Sequence, residues 1–256
     1  IITADPVYNP TRMLTQDYLT EFGIKTTFYN PHDLSSLKKK ITKKTKLIFI
    51  ANPGNPTGTY LKLSVINNFL ECIPKRIFVI VDEAYYEYLE PVANKSAVSL
   101  LKKHKNLFVT RSLSKIYGLA SLRIGYGISS SKNIQKLQEF KQPFNTNMFA
   151  QKAALLALKD KKFIKMSKDN NSMAMKKLTD TLNKLSITYL GTNCNFLTFK
   201  AGANSQKLFL YLLKKGIIVR PLTNYKLPDY LRVSLGKPRD NQKFIKHLKI
   251  FYSEKI

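Results

Sequence analysis

Three polar segments of this sequence come directly after short apolar runs, and each carries side chains that could do chemistry. Residues 52–58 read Asn-Pro-Gly-Asn-Pro-Thr-Gly, and their two prolines and two glycines predict a rigid turn that could hold the Asn55 amide at a fixed point. An ordinary loop is the other interpretation of this composition. Asp82 ends another apolar run and opens the sequence Asp-Glu-Ala-Tyr. A carboxylate there needs a cation or strong hydrogen-bond donors, which the protein or a ligand could supply.

The third segment brings hydroxyl groups, a lysine and an arginine together. Lys115 follows Ser112 and Ser114, and Arg123 lies eight residues after the lysine. Because hydroxyl and guanidinium groups bind phosphate well, this lysine differs from the many that fall on polar helix faces. Arg232 lies in a fourth segment, within a short predicted strand, where it could bind an anion or form a structural salt bridge.

Other kinds of site are not indicated by the sequence. It has no phosphate-binding loop of the form G-x-x-x-x-G-K-[ST], and Gly-Tyr-Gly at residues 125–127 is not a dinucleotide-binding pattern. His32, His104 and His247 lack the spacing of metal ligands, so we expect no metal site. No serine nucleophile elbow and no Cys–His pair is present.

The composition is that of a globular protein with a large excess of lysine. The 256 residues include 43 Lys and Arg against 16 Asp and Glu, a net charge of +27, and 44% are hydrophobic. Because arginine is scarce and the lysines are spread along the chain, we expect no nucleic-acid groove, although association with nucleic acid through charge alone stays an alternative. No apolar run approaches the roughly 20 residues of a membrane span. Cys72 and Cys194, far apart in sequence, are typical of a reducing, cytoplasmic setting.

The elements that must position these side chains alternate between strands and helices. Strands are predicted at 25–29, 47–51, 77–81, 107–110 and 123–128, and helices at 13–22, 63–72, 96–103 and 147–159. This order predicts an α/β fold with a mainly parallel sheet and flanking helices, in which chemistry gathers at the carboxyl ends of the strands. The continuous apolar runs predict that both faces of the sheet are covered.

From about residue 160 the pattern changes to that of a smaller α+β domain. A long helix carries Met175, Leu178, Leu182 and Leu185 on one face. Strands are predicted at 187–190, 195–199, 217–220 and 230–234, with helices beginning at residues 205 and 240. We therefore expect two domains, a large one over residues 1–159 and a C-terminal one over residues 160–256.

Taken together, these segments resemble the pyridoxal-phosphate enzymes of fold type I, aminotransferase class I/II. The resemblance runs from about residue 33 to the end and includes the segments at 52–58, 82–85, 112–126, 143–147 and 216–232. Within the class they are most similar to histidinol-phosphate aminotransferases. Threonine-phosphate decarboxylases and aromatic aminotransferases share the scaffold and stay as alternatives, as does a non-catalytic remnant of such an enzyme.

The resemblance implies a role for each candidate residue. Lys115 would form the Schiff base with pyridoxal phosphate and move the Cα proton of the substrate, while Asp82 would pair with the pyridinium nitrogen. Arg232, with Asn55 beside it, would bind the anionic group of the substrate, either a carboxylate or a phosphate. The other implied cofactor contacts are Asn55 and Tyr85 to the ring O3′, Ser112, Ser114 and Arg123 to the phosphate, and Tyr8 stacked on the ring.

The implied activity is transamination of histidinol phosphate with 2-oxoglutarate or glutamate by a homodimer that binds neither nucleic acid nor membranes. Two features depart from the family. Its N-terminal portion, including a turn that donates to the cofactor phosphate and a tyrosine that reaches the neighbouring subunit, has no counterpart in this sequence. Residues 5–29 are more similar to the cystathionine lyases, which share the fold. We therefore expect an N-terminally incomplete large domain and a chain consistent with either a mosaic gene or a decaying one.

Overall fold

The computed structural model of the chain describes residues 1–5, 9–30, 34–89 and 96–253. Nine strands form two separate sheets within these ranges, one of six strands and one of three. The strands of the larger sheet are β1 (Ile2–Ala4), β2 (Thr27–Tyr29), β3 (Leu47–Ala51), β4 (Phe78–Asp82), β5 (Leu107–Ser112) and β6 (Gly125–Ile128).

The larger sheet has the strand order β2-β1-β3-β4-β5-β6. Its first five strands are parallel, and β6 runs antiparallel to β5. Five helices accompany it in the described residues: α1 (Asn9–Arg12), α2 (Leu34–Lys39), α3 (Leu63–Cys72), α4 (Ser131–Glu139) and α5 (Met148–Lys159). The mainly parallel sheet with helices confirms the α/β class predicted from the sequence.

Side chains alternate between the two faces of this sheet, as they must in extended backbone. On one face Ile48, Val79 and Leu107 are fully buried and form a core with Phe69 and Leu70 of α3. The residues between them on the strands, at positions 49, 80 and 108, are only partly buried. We expected both faces of the sheet to be covered. In the described structure one face is fully covered and the other is covered in part.

Two of the predicted helices are shorter and less regular than expected. Residues 13–22 form a π-helical turn and a 3₁₀ turn that end at Gly23, which has φ of +72°. Of residues 96–103, only Ala97–Leu100 form a 3₁₀ turn. Ser96 and Ala97 both donate hydrogen bonds to the Glu83 carboxylate, and these contacts fix the start of the segment.

The smaller sheet has the order β7-β9-β8 with antiparallel pairing and packs on helices. Its elements are α6 (Lys161–Lys184), β7 (Phe196–Lys200), α7 (Ser205–Lys214), β8 (Arg220–Leu222), β9 (Leu227–Ser234) and α8 (Pro238–Ser253). Met175, Leu178 and Leu182 of α6 are buried in its core, as the helical pattern predicted, and Leu185 lies just past the helix end. The strand predicted at 187–190 is wrong: a single bridge from Tyr189 to Phe199 is all that forms there.

Each sheet has its own hydrophobic core, and the two meet through the turn at residues 52–58. Thr198 of β7 donates a hydrogen bond to the Pro56 carbonyl, and the Asn193 amide donates one of 3.1 Å to the Gly58 carbonyl. A Cβ on Gly191 would lie 2.2 Å from the Gly58 oxygen, so this close approach requires glycine. The boundary at residues 159/160 stays a prediction. None of the described helices is long and apolar enough to cross a membrane.

Candidate active site

A cavity of about 490 Å³ lies at the carboxyl ends of the parallel strands. This is where the topology of an open α/β sheet places ligand sites. Its lining brings together the residues singled out from three sequence segments, which are Asn55, Asp82, Tyr85, Ser112, Ser114, Lys115 and Arg123. Arg232 contacts this set through Asn55. Tyr8, the predicted stacking residue, lies outside the described residues.

Asp82 is the last residue of β4, and its side chain faces the cavity. Its Oδ1 accepts hydrogen bonds from Thr110 Oγ1 and from the Ala84 amide, both 3.1 Å long. Desolvation raises the pKa of Asp82 above its ordinary value, whereas the two hydrogen bonds and the positive charge of Lys115 act in the opposite direction. A carboxylate held in one orientation at the wall of the cavity favours a cationic partner delivered into the cavity.

Lys115 is half-buried, with its Nζ 5.2 Å from the ring centroid of Tyr85. The backbone around it is anchored because Leu113 and Ile116 are both buried. Desolvation lowers the pKa of Lys115, and the positive charges of Arg232 and Arg123 lower it further, against the opposite effect of Asp82. A lysine with a lowered pKa is neutral more of the time, so it can act as a nucleophile toward a carbonyl group and as a base.

The hydroxyl groups at one end of the cavity are arranged by a tight turn after β5. Ser112 Oγ accepts a hydrogen bond of 3.1 Å from the amide of Ser114. Arg123 follows at φ of +54°, donates from Nη1 to the Ala120 carbonyl at 2.8 Å, and lines the same cavity as the two serines. Two hydroxyls and one guanidinium group without an acidic side chain in this turn suit a phosphate group.

Asn55 and Arg232 are in direct contact although they are far apart in sequence. Nη1 of Arg232 donates a hydrogen bond to Oδ1 of Asn55, and the guanidinium lies 4.9 Å from the ring centroid of Phe196. Desolvation lowers the pKa of Arg232, with the charge of Arg220 acting in the same direction. Nε of Arg232 is buried and has no hydrogen-bond partner among the described residues. This guanidinium therefore has unused capacity for an anion.

Sequence reasoning missed two residues beside the candidate side chains, of which one lines the cavity and the other lies outside its lining. Thr110 is the register partner of Asp82 on β5, and Arg220 of β8 is the register partner of Arg232 on β9. The strand predicted at 217–220 ended at Arg220, whereas β8 begins at this residue. The predicted bounds of this strand were therefore wrong. Both residues could have been found by asking which residue on the neighbouring strand pairs with Asp82 and with Arg232.

The donor set fits pyridoxal phosphate. The cavity holds a carboxylate suited to a ring cation, an amine suited to an aldehyde, and hydroxyl groups suited to a phosphate, contributed by Asp82, Lys115 and the serines at 112 and 114. Tyr85 packs edge-on against Phe196, with centroids 5.3 Å apart, and is thereby fixed at the cavity wall.

A comparison with protein families identifies the chain. The family aminotransferase class I and II matches residues 13–248. The chain belongs to this family. Histidinol-phosphate aminotransferase 1 of Idiomarina loihiensis is 44% identical over 218 residues, which are 85% of this chain and 59% of that protein. The chain thus spans about three fifths of the length of the curated relatives that it matches. The resemblance on which the sequence analysis relied is confirmed.

Solved structures of this class have the same fold. The histidinol-phosphate aminotransferase of Sinorhizobium meliloti, in complex with pyridoxal-5′-phosphate, has a TM-score of 0.85 at 21% identity over 100% of this chain and 71% of that chain. The L-threonine-O-3-phosphate decarboxylase of Porphyromonas gingivalis has a TM-score of 0.80 at 20% identity over 98% of this chain and 76% of that chain. At these identities both structures support the fold and leave the choice of substrate open.

Proposed function

We propose that this protein is a pyridoxal-phosphate-dependent aminotransferase that transfers the amino group of histidinol phosphate to 2-oxoglutarate. The observation that carries the proposal is the placement of Lys115 and Asp82 in one cavity with the turn at Ser112 and Ser114. The choice of substrate rests on the identity to histidinol-phosphate aminotransferases. Threonine-phosphate decarboxylation, on a similar scaffold, is an outcome that the experiment below distinguishes.

The chain's residues would hold the cofactor from three sides. Asp82 would bind the ring nitrogen, Asn55 and Tyr85 the ring oxygen, and Lys115 the aldehyde carbon. Ser112, Ser114 and Arg123 would bind the phosphate. When bound, the cofactor supplies an electron-withdrawing ring that stabilises negative charge at the substrate Cα.

Lys115 has the properties of the base that the reaction needs. Removal of the proton at the substrate Cα requires an amine that is neutral near physiological pH, and burial lowers the pKa of Lys115 in that direction. Once protonated, Nζ of Lys115 can return the proton to the reacting molecule. Asp82 contributes a fixed negative charge, because Thr110 and the Ala84 amide hold its Oδ1 in place.

Two arginines would bind the anionic groups of the substrates. Arg220 and Arg232 are opposite each other on β8 and β9. Within the described residues neither forms an ion pair with a carboxylate. Histidinol phosphate carries a phosphate and glutamate carries two carboxylates, so one cationic pair can accept both molecules in turn. The net charge of +27 would also attract such anions.

We further propose that the protein is a cytoplasmic homodimer. Exposed apolar side chains support an interface between copies: Phe144 is 99% exposed, Phe140 84%, Phe149 75% and Leu156 71%. All four lie within residues 140–156, and exposed apolar surface supports contact with another protein surface. Both cysteines, Cys72 and Cys194, are free thiols, which supports a reducing compartment.

The function is tested with the purified chain, pyridoxal phosphate and two alternative substrates, histidinol phosphate with 2-oxoglutarate and threonine phosphate alone. We expect 2-oxoglutarate-dependent consumption of histidinol phosphate with formation of glutamate, and its loss in the Lys115→Ala variant. Release of carbon dioxide from threonine phosphate without glutamate formation would instead support the decarboxylase. Absence of saturable cofactor binding in the wild-type chain would overturn the proposal. Nucleic-acid binding that disappears at physiological salt would identify association through charge alone.

A further inference from the structure

A buried ion pair, Glu83–Arg111, joins the ends of β4 and β5 at the wall of the cavity. Nε and Nη2 of Arg111 donate hydrogen bonds of 3.1 and 2.9 Å to Oε2 of Glu83. Only 3% of the Glu83 side chain and 13% of the Arg111 side chain are exposed. A carboxylate this deeply buried is tolerated because it is paired and hydrogen-bonded.

The remaining hydrogen-bonding capacity of the pair is also used. Oε1 of Glu83 accepts from the Ala97 amide at 2.7 Å, and Oε2 accepts from the Ser96 hydroxyl at 2.7 Å. The Arg111 guanidinium lies over the ring of Tyr86 at 3.7 Å and within 3.7 Å of a Glu87 carboxylate oxygen. These contacts fix the guanidinium in one orientation, which a flexible ammonium group could not reproduce.

The pair lies between the residues proposed to bind the ring of the cofactor and those proposed to bind its phosphate. Glu83 directly follows Asp82, and Arg111 directly precedes Ser112. β4 ends at Asp82, and the last backbone contact between the two strands is the hydrogen bond of 2.9 Å from the Glu83 amide to the Thr110 carbonyl. Beyond it, the side-chain contacts of Arg111 hold the segment from Glu83 onward against β5.

We propose that Glu83 and Arg111 are positioning residues that set the distance between Asp82 and the Ser112–Ser114 turn, and thereby the fit of the cavity to pyridoxal phosphate. The inference rests on the proposed function. Stability alone does not require a buried ion pair, because well-packed apolar side chains of similar volume serve as well or better. Arg111 also lines the cavity itself, so its displacement alters the wall that the cofactor would touch.

The experiment compares Arg111→Lys, Glu83→Gln and the double variant with wild type. Arg111→Lys keeps the charge but loses the planar fork, and Glu83→Gln keeps the buried volume but loses the charge. Leu178→Ala is the matched control, because Leu178 is 2% exposed in the core of the smaller sheet and its loss destabilises the protein away from the cavity. Cofactor dissociation constants are measured at a temperature at which circular dichroism shows every variant folded.

We expect each single substitution to weaken cofactor binding about tenfold or more, because small displacements of positioning groups have effects of about this size or larger. The pH midpoint of the visible band of the lysine-bound cofactor should shift with it. The double variant should bind about as weakly as the weaker single variant, since both changes break one contact. Leu178→Ala should lower the thermal midpoint but leave the dissociation constant within about twofold of wild type.

Two results would overturn the inference. In the first, Arg111→Lys and Glu83→Gln lower the thermal midpoint but keep a cofactor dissociation constant within about twofold of wild type, as Leu178→Ala does. The pair is then structural only, and the proposed function stands. If the wild-type chain does not bind the cofactor through Lys115, the proposed function fails and the positioning role fails with it. Should Arg111→Lys not fold, the isosteric Glu83→Gln decides by the same measurements.

Discussion

Thr110 and Asp82 face each other on neighbouring parallel strands, and the Thr110 hydroxyl donates a hydrogen bond of 3.1 Å to the Asp82 carboxylate. Desolvation raises the pKa of Asp82 and so favours the neutral form of its carboxyl group. The hydrogen bond from Thr110 lowers the pKa and so favours the charged form. The strand register of the sheet is therefore part of the electrostatic design of the site.

Replacing Thr110 with valine should shift the pH dependence of cofactor binding. The substitution keeps the shape and removes the donor, so the pKa of Asp82 should rise further and the carboxylate should be neutral at a higher pH than in wild type. Cofactor binding, which the charged carboxylate strengthens, should then weaken at a higher pH than in wild type as the solution is acidified. Titration of cofactor affinity from pH 5 to 8 measures the shift. Thr179→Val on α6 is the control, and an unchanged acid limb in Thr110→Val would contradict the assignment.

Lys115→Ala should abolish the absorbance band of the cofactor bound to the lysine as a Schiff base while the fold is kept. Lys115 is the cavity-lining lysine, and alanine has no amine to bond with the aldehyde. Absorbance spectra after gel filtration with excess cofactor provide the measurement, and far-ultraviolet circular dichroism checks the fold. Lys165→Ala, at an exposed position on α6, should have the wild-type spectrum. A visible band of undiminished intensity in Lys115→Ala would remove Lys115 as the cofactor lysine.

Asp82→Asn should leave cofactor binding measurable but slow the proton removal at the substrate Cα. The amide cannot balance a protonated ring nitrogen, so the ring withdraws electrons less well. We expect turnover to fall by more than about tenfold, a barrier increase of about 1.4 kcal/mol. Single-turnover kinetics with Cα-deuterated substrate measure the step directly. A smaller loss, with the isotope effect unchanged, is incompatible with the proposed role of Asp82.

The same substitution should stabilise the cofactor-free protein. Folding raises the pKa of Asp82. The contribution of this carboxyl group to stability is therefore fully present below its unfolded-state pKa, and it is lost as the pH rises through its folded-state pKa. At pH 7 the wild type therefore carries a charge on Asp82 that is less favourable in the folded than in the unfolded chain, and Asp82→Asn lacks this charge. Urea unfolding at pH 7 should give a higher free energy of unfolding for Asp82→Asn, and the difference should shrink toward pH 4. A lower value at pH 7 would show that the carboxylate is stabilising.

The sequence predicted much of this site because its residues come in contiguous segments at the ends of apolar runs. Strand β3 was predicted at its observed residues, and Asn55 and Asp82 follow from the topology once the strands are parallel. What was missed depends on pairing between distant segments. The roles proposed for Thr110 and Arg220 depend on register partners that no local pattern specifies.

The errors in secondary structure have a similar physical origin. Residues 187–190 have strand-like composition but form a single bridge. Two backbone hydrogen bonds, with residues 198 and 200, connect them to β7. The segment after residue 96 has a helical pattern but is tied to Glu83, so it forms only one short turn. In the segment after residue 96, contacts with another element decided the structure over local preference.

Arg220 offers the sharpest test of how the substrate is recognised. It lies opposite Arg232, its guanidinium lies 5.6 Å from the ring centroid of Tyr225, and its charge lowers the pKa of Arg232. Arg220→Gln should raise the KM for histidinol phosphate by about tenfold or more, since hydrogen bonds to charged groups contribute roughly 1.5–3 kcal/mol. The cofactor dissociation constant should stay unchanged, because Arg220 is not part of the cavity lining.

Arg239→Gln, at an exposed position on α8, removes the same charge from the protein and separates local binding from general attraction of anions. If both arginine variants raise KM equally, and added salt abolishes the difference from wild type, the effect is long-range charge. If Arg220→Gln alone raises KM at physiological salt while Arg239→Gln does not, the anionic group of the substrate lies against the paired arginines of β8 and β9. An unchanged KM in Arg220→Gln would leave Arg232 to bind that group without its register partner.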